Sequence, residues 1–358
     1  MKTLIFTLEY KPFNGGVAEY YSALFNYWPN QNLYVLTERS SVEISDDSRI
    51  IRKKLISPIF SWFSSLFILA RIIKKEKISH IIVGHILPLG TVVYILSFLF
   101  KFDYTLVLHG MDFSFSQKTK RKADISYRIL KKSNNIICGN SFLSKQISNK
   151  YSDLSDKISI VNPGVDIRPI KGLKNNQNDI FNIFFIGRLV KRKGIDRVIE
   201  ALSLIDEKKF SNINFLIAGS GPEEEYLKRL GNDKRIKFLG KISDEEKWKY
   251  LEESDLFVMP SRNINGDYEG FGIVYLEANL METTILATNS GGVGDAVEDG
   301  VGAILMNSDN PKKIAEEIIN LYYNKEKNKI LGKRGRERVL KKFLWKKQVN
   351  KFFNIINK

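Results

Sequence analysis

The sequence is poor in cysteine, in histidine and in long apolar runs. Its single cysteine, Cys138, excludes an internal disulfide and a cysteine-rich metal cluster, which favours a reducing cytoplasm. The longest apolar stretches, residues 58–70 and 86–100, fall short of the roughly 20 residues that cross a bilayer, and Ser or Gly interrupts them. The apolar run in residues 1–9 is too short for a signal peptide and is interpreted as a first buried strand.

The length and composition predict a soluble globular protein of two domains. The chain has 358 residues, of which 43% are apolar and 27% are charged. Its net charge of +16 is unevenly spread, because residues 1–168 carry +10, residues 169–340 carry zero and residues 341–358 carry +6. This asymmetry indicates a polyanionic partner, either nucleic acid or an anionic membrane surface, although a general bias toward Lys, Asn and Ile would also raise the charge.

Buried strands and helices alternate along the chain in two series. Short runs rich in β-branched residues occur first at 3–8, 33–36, 78–83, 104–108, 135–138 and 158–161, then at 181–186, 214–218, 236–239, 256–259, 284–287 and 303–305. Such alternation is typical of parallel sheets covered by helices on both faces. We therefore predict an α/β protein of two Rossmann-like, doubly wound domains that face each other across a cleft.

The domain boundaries are predicted from a break in this alternation. Residues 162–166 and the polar run 174–179 form the expected linker. The first domain then covers residues 1–167 and the second covers residues 168–340. Residues 338–358 have a helical pattern and only basic charges, so residues 341–358 are predicted to form a helix that returns to the first domain.

The stretch from Tyr268 to Glu277 carries most of the functional information. Two carboxylates, Glu269 and Glu277, bracket a turn of small residues that follows a predicted strand and opens a predicted helix. The backbone N–H groups of Gly270, Phe271, Gly272 and Ile273 would be free to bind an anion at that helix start. Carboxylates beside a bound diphosphate suit the hydroxyl groups of a nucleotide-sugar. A helix cap at Glu269 with a solvated Glu277 is the alternative.

Other loops at predicted strand ends add candidate residues. Arg188 and Lys193 lie in a loop of four cations that would need an anion to offset their repulsion, and a solvated run of charge is the alternative. Gly15 and Gly16 permit close approach of a ligand, with an ordinary tight turn as the alternative, and Gly221 lies in a turn that is expected to face a ligand. His109 follows a buried strand and precedes Gly110, and it is either a site residue or a core histidine. His80 and His85 are interpreted as structural.

Taken in order, these motifs resemble those of retaining glycosyltransferases of family 4. The motifs are Gly15-Gly16, His109-Gly110, Gly187-Arg188-Leu189 with Lys193-Gly194, Gly219-Ser220-Gly221-Pro222, and Glu269 and Glu277 with seven residues between them. The resemblance spans nearly the whole chain and is most similar to the mannosyltransferase-type branch. It implies the GT-B fold and transfer of a hexose from a GDP- or UDP-sugar, with no cofactor and no metal ion. One departure is Glu282-Thr283-Thr284, where many relatives carry a Gly-x-Pro step.

The resemblance also implies roles for individual residues. Arg188 and Lys193 would bind the donor diphosphate and stabilise the leaving group. Glu269 would bind hexose hydroxyls, Glu277 ribose hydroxyls, and the N–H groups of residues 271–273 phosphate. Gly16 would approach the donor from the first domain, and His109 would bind the donor sugar near the reacting carbon. His109, Glu269, Arg188 and Lys193 are thus the expected catalytic residues.

Three functions remain in view from the sequence. A glycosyltransferase of surface-polysaccharide assembly, such as O-antigen or lipopolysaccharide synthesis, would use the basic first domain to dock on the inner leaflet of a bacterial membrane and would take a glycan or polyprenyl-diphosphate-linked acceptor. An epimerase or hydrolase of the same fold would need no such surface. A nucleic-acid-binding protein would use the charge, but the sequence has no base-reading pattern, so no specific nucleic acid is expected.

Overall fold

The protein divides into two compact units. A computed structural model describes residues 1–13, 15–40, 47–56, 62–172 and 180–357. Unit 1 comprises residues 1–163 and 345–358, and unit 2 comprises residues 164–344. These limits differ from the predicted boundaries at 167/168 and 340/341 by four residues. The polar run 174–179, predicted as part of the linker, lies outside the described residues.

Unit 1 is a parallel sheet with helices in its connections. Its strands are β1 (Thr3–Phe6), β2 (Leu33–Glu38), β3 (Ile50–Lys53), β4 (His80–Val83), β5 (Asp103–Leu108), β6 (Asn135–Cys138) and β7 (Ile158–Ile160). Its helices are α1 (Gly16–Tyr27), α2 (Phe63–Glu76), α3 (Thr91–Leu96), α4 (Met111–Ser116), α5 (Lys120–Lys132) and α6 (Ser141–Lys150), joined by α14 (Trp345–Ile356) from the end of the chain.

The sheet of unit 1 has the order β3-β2-β1-β4-β5-β6-β7. Its strands pair in parallel, with Thr3 opposite both Leu33 and His80. Every residue of β1 and β4 is buried, as expected for strands covered on both faces. The chain order reverses between β1 and β4, so the carboxyl ends of these two strands form the topological switch point of the sheet.

Unit 2 repeats the architecture. Its strands are β8 (Phe181–Ile186), β9 (Ile213–Ala218), β10 (Ile236–Gly240), β11 (Leu256–Met259), β12 (Thr284–Thr288), β13 (Glu298–Asp299) and β14 (Gly302–Met306), in the order β10-β9-β8-β11-β12-β14-β13. Its helices are α7 (Ile195–Ser203), α8 (Glu224–Leu230), α9 (Asp244–Glu253), α10 (Ile273–Leu280), α11 (Val293–Ala296), α12 (Pro311–Tyr323) and α13 (Lys325–Lys342). The switch point lies between β8 and β11, and the loops after these strands meet there.

The predicted strands are present, with ends that shift by one or two residues. Two strands were missed, both at sheet edges. Strand β3 has the sequence Ile-Ile-Arg-Lys and is at most half-buried, and β13 has only two exposed residues. Edge strands lack the continuous apolar run that identifies a central parallel strand, so the pattern did not indicate them.

The basic segment 338–358, with a helix predicted over 341–358, is divided between the two units. The chain forms two helices there, α13 and α14, separated by Phe343 and Leu344. Arg338 belongs to unit 2, where it pairs with Glu298 at 3.0 Å. Helix α14 packs in unit 1, where the Trp345 ring meets Tyr20 edge-on at 5.7 Å. The break follows from this tertiary packing, which a helical pattern does not reveal.

The stability of unit 1 should fall in mild acid because of His80. This side chain is buried and its Nε2 lies 3.0 Å from Thr105 Oγ1. Burial lowers the pKa of His80 from 6.5 to about 4, against the opposing charge of Asp103. A lowered pKa means that the folded state binds the proton less tightly than the unfolded chain. The contribution is therefore present above pH 6.5 and is lost as the pH falls toward 4, by up to about 3 kcal/mol.

Urea unfolding of the wild type and His80→Gln at pH 7.5, 6 and 5 tests this expectation. The variant should lose less stability between pH 7.5 and 5 than the wild type, because glutamine does not titrate. His109, whose pKa burial also lowers to about 4, remains in both proteins and accounts for part of the slope. Identical slopes for the two proteins would contradict the role of His80.

Candidate active site

Two loops at the carboxyl edge of the unit 2 sheet lie against each other. The loop after β8 and the loop after β9 are joined by a hydrogen bond from Leu189 N to Ser220 O (2.9 Å). Gly221 packs on the backbone of Leu189, where a Cβ would collide with the chain. This contact explains why a glycine is needed at position 221. The predicted role of Gly221 in donor binding stays a prediction. The pairing fixes the start of the basic segment that follows Leu189.

The basic segment places two of its cations on one carboxylate. Lys193 Nζ donates to Glu269 Oε2 at 2.5 Å, and Arg192 Nη1 donates to the same oxygen at 2.6 Å. Arg192 also pairs with Asp267 at 3.0 Å. Lys193 and Glu269 are both only 8% exposed. The loop of cations thus has internal anions, and repulsion within the loop is not by itself a reason to expect a ligand.

The electrostatics of this cluster favour an ion pair at neutral pH. Burial alone would raise the pKa of Glu269, but the charges of Lys193 and Arg192 and their hydrogen bonds hold it below its usual range. Burial lowers the pKa of Lys193, and the carboxylate of Glu269 opposes that shift. The Lys193 ammonium has three N–H donors. Among the described residues, two of these donors meet Glu269 and Met259 Sδ (3.3 Å), which leaves the third for a ligand.

Helix α10 begins beside this cluster. Its cap, Gly272, has a left-handed φ of 82°, and an added Cβ would meet the ring of Tyr275 at 2.6 Å, so a glycine is required here. Tyr275 is fully buried, and its hydroxyl donates to Met259 O at 2.7 Å. This bond ties the first turn of α10 to the end of β11. The first N–H groups of any helix have no acceptor within the helix, so the start of α10 suits an anion.

Glu277 lies within the same helix and is held by a lysine of α9. Lys247 Nζ is 2.7 Å from Glu277 Oε1 and 2.8 Å from Asp244 Oδ1. The side chains of Lys247 and Glu277 are 18% and 15% exposed. The charges of Glu277 and Asp244 and their hydrogen bonds raise the pKa of Lys247, outweighing the lowering effect of its burial. Glu277 is therefore a positioned carboxylate and not a solvated one.

In unit 1, His109 directly follows β5 and lies among aromatic side chains. Its Nε2 lies 3.2 Å from Tyr21 Oη, and its ring meets those of Tyr20 and Tyr21 edge-on at 5.1 and 5.6 Å. Burial lowers the pKa of His109 to about 4, so the imidazole is neutral at physiological pH. Gly15 and Gly16 are exposed at the start of α1. The predicted site residues of unit 1 thus follow β1 and β5.

The family model described as "Glycosyl transferases group 1" matches residues 166–338. This segment, which makes up most of unit 2, is similar to that family. An uncharacterized glycosyltransferase of Methanocaldococcus jannaschii is 28% identical over 356 residues, which cover 98% of this chain and 96% of that protein. The GDP-mannose-dependent monoacylated alpha-(1-6)-phosphatidylinositol monomannoside mannosyltransferase of Corynebacterium glutamicum is 34% identical over 173 residues, which cover 47% of this chain and 45% of that protein.

The fold of the chain agrees with solved structures. Anabaena HepE, crystallised in complex with UDP, is 18% identical and superposes with a TM-score of 0.79, covering 100% of both chains. The predicted GT-B architecture of two Rossmann-like domains is confirmed by this likeness and by the two parallel sheets.

The structure brings several predicted site residues of unit 2 together. Glu269 and Lys193 are in direct contact, residues 270–272 lie between Glu269 and α10, and Ile273 is the first residue of α10. Arg188 lies exposed in the loop that leads to Lys193. Sequence reasoning missed Arg192 and Lys247 as partners of the two glutamates. Arg192 adjoins Lys193 and could have been singled out, whereas Lys247 precedes Glu277 by thirty residues and no local signal links them.

The departure from the Gly-x-Pro step has a local explanation. Glu282 takes up a left-handed φ of 58° in the turn between α10 and β12. Thr283 is buried, and its hydroxyl donates to Leu251 O at 2.5 Å. The hydrogen bond of the threonine side chain thus closes the turn that follows α10, the helix that carries Glu277.

Proposed function

We propose that the protein is a retaining hexosyltransferase of family 4 that uses a GDP- or UDP-linked sugar and needs no metal ion. The observation that carries the proposal is the buried contact of Lys193 with Glu269 at the start of α10. A nucleotide-sugar has negative charge on its diphosphate and neutral hydroxyls on either side. The cluster offers a cation, helix N–H groups and two carboxylates, which are the matching partners.

Each part of the donor then has a partner in unit 2. Arg188 and the remaining donor of Lys193 bind the diphosphate, together with N–H groups at the start of α10. Glu269, oriented by Arg192 at 2.6 Å, accepts hydrogen bonds from the hexose. Glu277, oriented by Lys247 at 2.7 Å, accepts from the ribose. The GDP-mannose dependence of the Corynebacterium relative and the UDP bound to HepE support a nucleotide-sugar without deciding between the two nucleosides.

The reaction replaces one bond at the anomeric carbon with another. The bond from that carbon to the diphosphate oxygen breaks, and the acceptor oxygen bonds to the same face. The acceptor proton passes to the departing phosphate oxygen, so configuration is retained. Lys193 and Arg188 stabilise the charge that develops on the diphosphate, which is the task that a metal ion performs in other transferases. Neutral His109 contacts the donor sugar near the reacting carbon.

A binding panel tests the donor assignment. UDP, GDP and their common sugar conjugates are titrated by calorimetry and thermal shift in the presence of EDTA. We expect one nucleoside diphosphate to bind in EDTA, and NMR of the transfer product to show the anomeric configuration of the donor. Binding that requires Mg²⁺ or Mn²⁺ would contradict metal independence, and a product of inverted anomeric configuration would contradict retention. If none of these nucleotides and nucleotide-sugars binds, the proposed transferase function is wrong.

We further propose that unit 1 docks on an anionic membrane and that the acceptor is a glycan or a polyprenyl-diphosphate-linked glycan of cell-surface polysaccharide synthesis at the cytoplasmic face. Unit 1 holds 26 Lys and Arg against 12 Asp and Glu. The glycolipid named for the Corynebacterium relative is consistent with a membrane acceptor. Among the described residues, no helix combines the length and apolar character that spanning a bilayer requires.

The surface of unit 1 pairs exposed aromatics with lysines. Phe115 is 45% exposed and lies beneath Lys122 and Lys118, whose Nζ atoms are 3.8 and 5.5 Å from the ring centre. Phe63 and Phe67, on the first turns of α2, are 50% and 66% exposed and meet edge-on at 5.4 Å. Aromatics that enter the interface, flanked by cations, are the pattern of proteins that lie on a bilayer without crossing it.

Vesicle sedimentation tests the docking surface. The wild type should sediment with vesicles that contain 30% anionic lipid and only weakly with neutral ones. Lys118→Glu with Lys122→Glu should reduce binding about tenfold or more, since each basic residue near the surface is worth about 1 kcal/mol. Lys312→Glu with Lys313→Glu, which reverses an adjacent lysine pair in unit 2, is the matched control. Equal sedimentation of the wild type with neutral and anionic vesicles would contradict the proposal that electrostatic attraction holds unit 1 on the membrane.

A further inference from the structure

The switch point of the unit 1 sheet carries a carboxylate and an imidazole that the donor assignments leave unused. Glu9 follows β1 and His85 follows β4, the two neighbouring strands between which the chain order reverses. Ligands of open parallel sheets bind beyond the carboxyl ends of the strands at this point. The pair therefore lies where the topology of unit 1 favours a binding site.

The contacts of Glu9 leave it room to bind a ligand. Its Oε1 lies 3.5 Å from His85 Nε2, a long and weak hydrogen bond, and its side chain is 32% exposed. Its other oxygen, Oε2, lies 3.9 Å from the position that a Cβ of Gly15 would occupy. The Glu9 carboxylate is thus held between His85 and the start of α1. A carboxylate has about four acceptor positions, and this one uses few of them within the described part of the chain.

Another carboxylate, Asp112, is affected by the charge of His85. The charge of His85 lowers the pKa of Asp112, although burial raises that pKa overall. Asp112 Oδ1 accepts from the backbone N–H groups of His109, Gly110 and Phe113. Among the described residues, Asp112 Oδ2 and His85 Nδ1 are buried with no hydrogen-bond partner. The contact of His85 Nε2 with Glu9 Oε1 makes His85 the residue that positions Glu9.

The charge at this point selects the chemistry of the ligand. The Glu9 carboxylate is partly exposed and carries a negative charge. A phosphate brought to the same place would meet a like charge. Neutral hydroxyl groups are suited to it, because they donate hydrogen bonds to a carboxylate.

We propose that Glu9 binds a hydroxyl group of the acceptor sugar and that His85 is the positioning residue that orients Glu9. The proposal rests on the proposed function. It deepens that function by assigning the acceptor end that enters unit 1, which is a neutral polyhydroxyl sugar and not the diphosphate of a lipid carrier. During transfer the acceptor proton passes to the departing phosphate oxygen, so Glu9 holds the hydroxyl and retains no proton.

Steady-state kinetics with simple acceptors tests the assignment. The probes are octyl α-mannoside, octyl β-glucoside and octyl β-galactoside, with mannose 1-phosphate as a charged comparison. Release of the nucleoside diphosphate is followed with each acceptor and with water alone. The variants are Glu9→Gln, Glu9→Asp and His85→Asn. The matched control is Glu19→Gln, a half-exposed carboxylate in the first turn of α1 that pairs with Lys11.

We expect Glu9→Gln to raise the KM for the neutral acceptor at least tenfold and to weaken the discrimination against mannose 1-phosphate. The donor KM and the hydrolysis by water should stay within twofold. His85→Asn should raise the acceptor KM less, and Glu9→Asp should keep the discrimination against the phosphate. Glu9→Asp also keeps the charge, so it tests the proposal if Glu9→Gln does not fold.

Three results would overturn this assignment while leaving the transferase intact. One is an acceptor KM that stays within twofold in the Glu9 variants. The second is a parallel loss of hydrolysis and transfer, which would place Glu9 in donor binding or folding. The third is transfer to none of the octyl glycosides by a wild type that binds and hydrolyses the donor. A wild type that binds no nucleoside diphosphate would instead refute the proposed function.

Discussion

Replacing Lys193 with methionine is expected to lower kcat/KM by about 10²–10³-fold while the protein keeps its fold. This is the loss found when one preorganised donor to a developing negative charge is removed. Methionine has nearly the length of lysine and fits a side chain that is only 8% exposed. Glu269 keeps the hydrogen bond from Arg192 at 2.6 Å, so no carboxylate is left buried without a partner.

The control for this variant is Lys191→Met in the same short turn. Lys191 is exposed, and its replacement should leave kcat/KM within twofold. Both proteins are assayed by release of the nucleoside diphosphate that the binding panel selects. A thermal melting temperature close to that of the wild type separates lost chemistry from lost structure. Full activity of Lys193→Met would show that the buried ammonium serves the fold and not the reaction.

Replacing Glu277 with alanine should weaken binding of the selected nucleoside diphosphate by about a hundredfold. Two hydrogen bonds from ribose hydroxyls to a carboxylate are lost, at about 1–1.5 kcal/mol each. The variant also removes one of the two carboxylates that Lys247 contacts, which leaves that ammonium on Asp244 at 2.8 Å. Calorimetric titration in EDTA gives the dissociation constant directly.

Two further variants define what Glu277 contributes. Lys247→Met should weaken nucleotide binding by roughly tenfold. Glu277 is still present in this variant, but it loses the cation that orients its carboxylate toward the ribose. Glu245→Ala removes an exposed carboxylate of α9 near Lys247 and should have no effect. An affinity of Glu277→Ala within threefold of the wild type would contradict the ribose assignment.

The fold was predictable because its strands are central and parallel. Runs such as Phe181–Ile186 are almost wholly buried, so their apolar character is continuous and their ends are marked by glycines. The edge strand β3 carries Arg52 and Lys53 and gives no such signal. The helical pattern of the sequence continues through Phe343 and Leu344. In the structure these two residues end unit 2 and separate α13 from α14, which belongs to unit 1.

The site was predictable only where its residues are close in sequence. The spacing of Glu269 and Glu277 identified the turn and the helix, because both are properties of ten consecutive residues. The loop cations indicated an anion, but the structure supplies Glu269 and Asp267 as internal anions for Arg192 and Lys193. Which carboxylate meets which cation depends on how strands β8 and β11 pair, and no local pattern encodes that pairing.

The membership of helix α14 in unit 1 sets the order in which the protein can be built during translation. Unit 2 is contiguous and has all its residues once the ribosome has made Leu344. Unit 1 lacks Trp345 and Phe352, which contact Tyr20 and Trp28, until the following twelve residues have emerged. Unit 1 therefore begins first and is completed last. Until α14 has been made, Tyr20 and Trp28 lack these contacts and present an apolar surface that a chaperone would meet on the nascent chain.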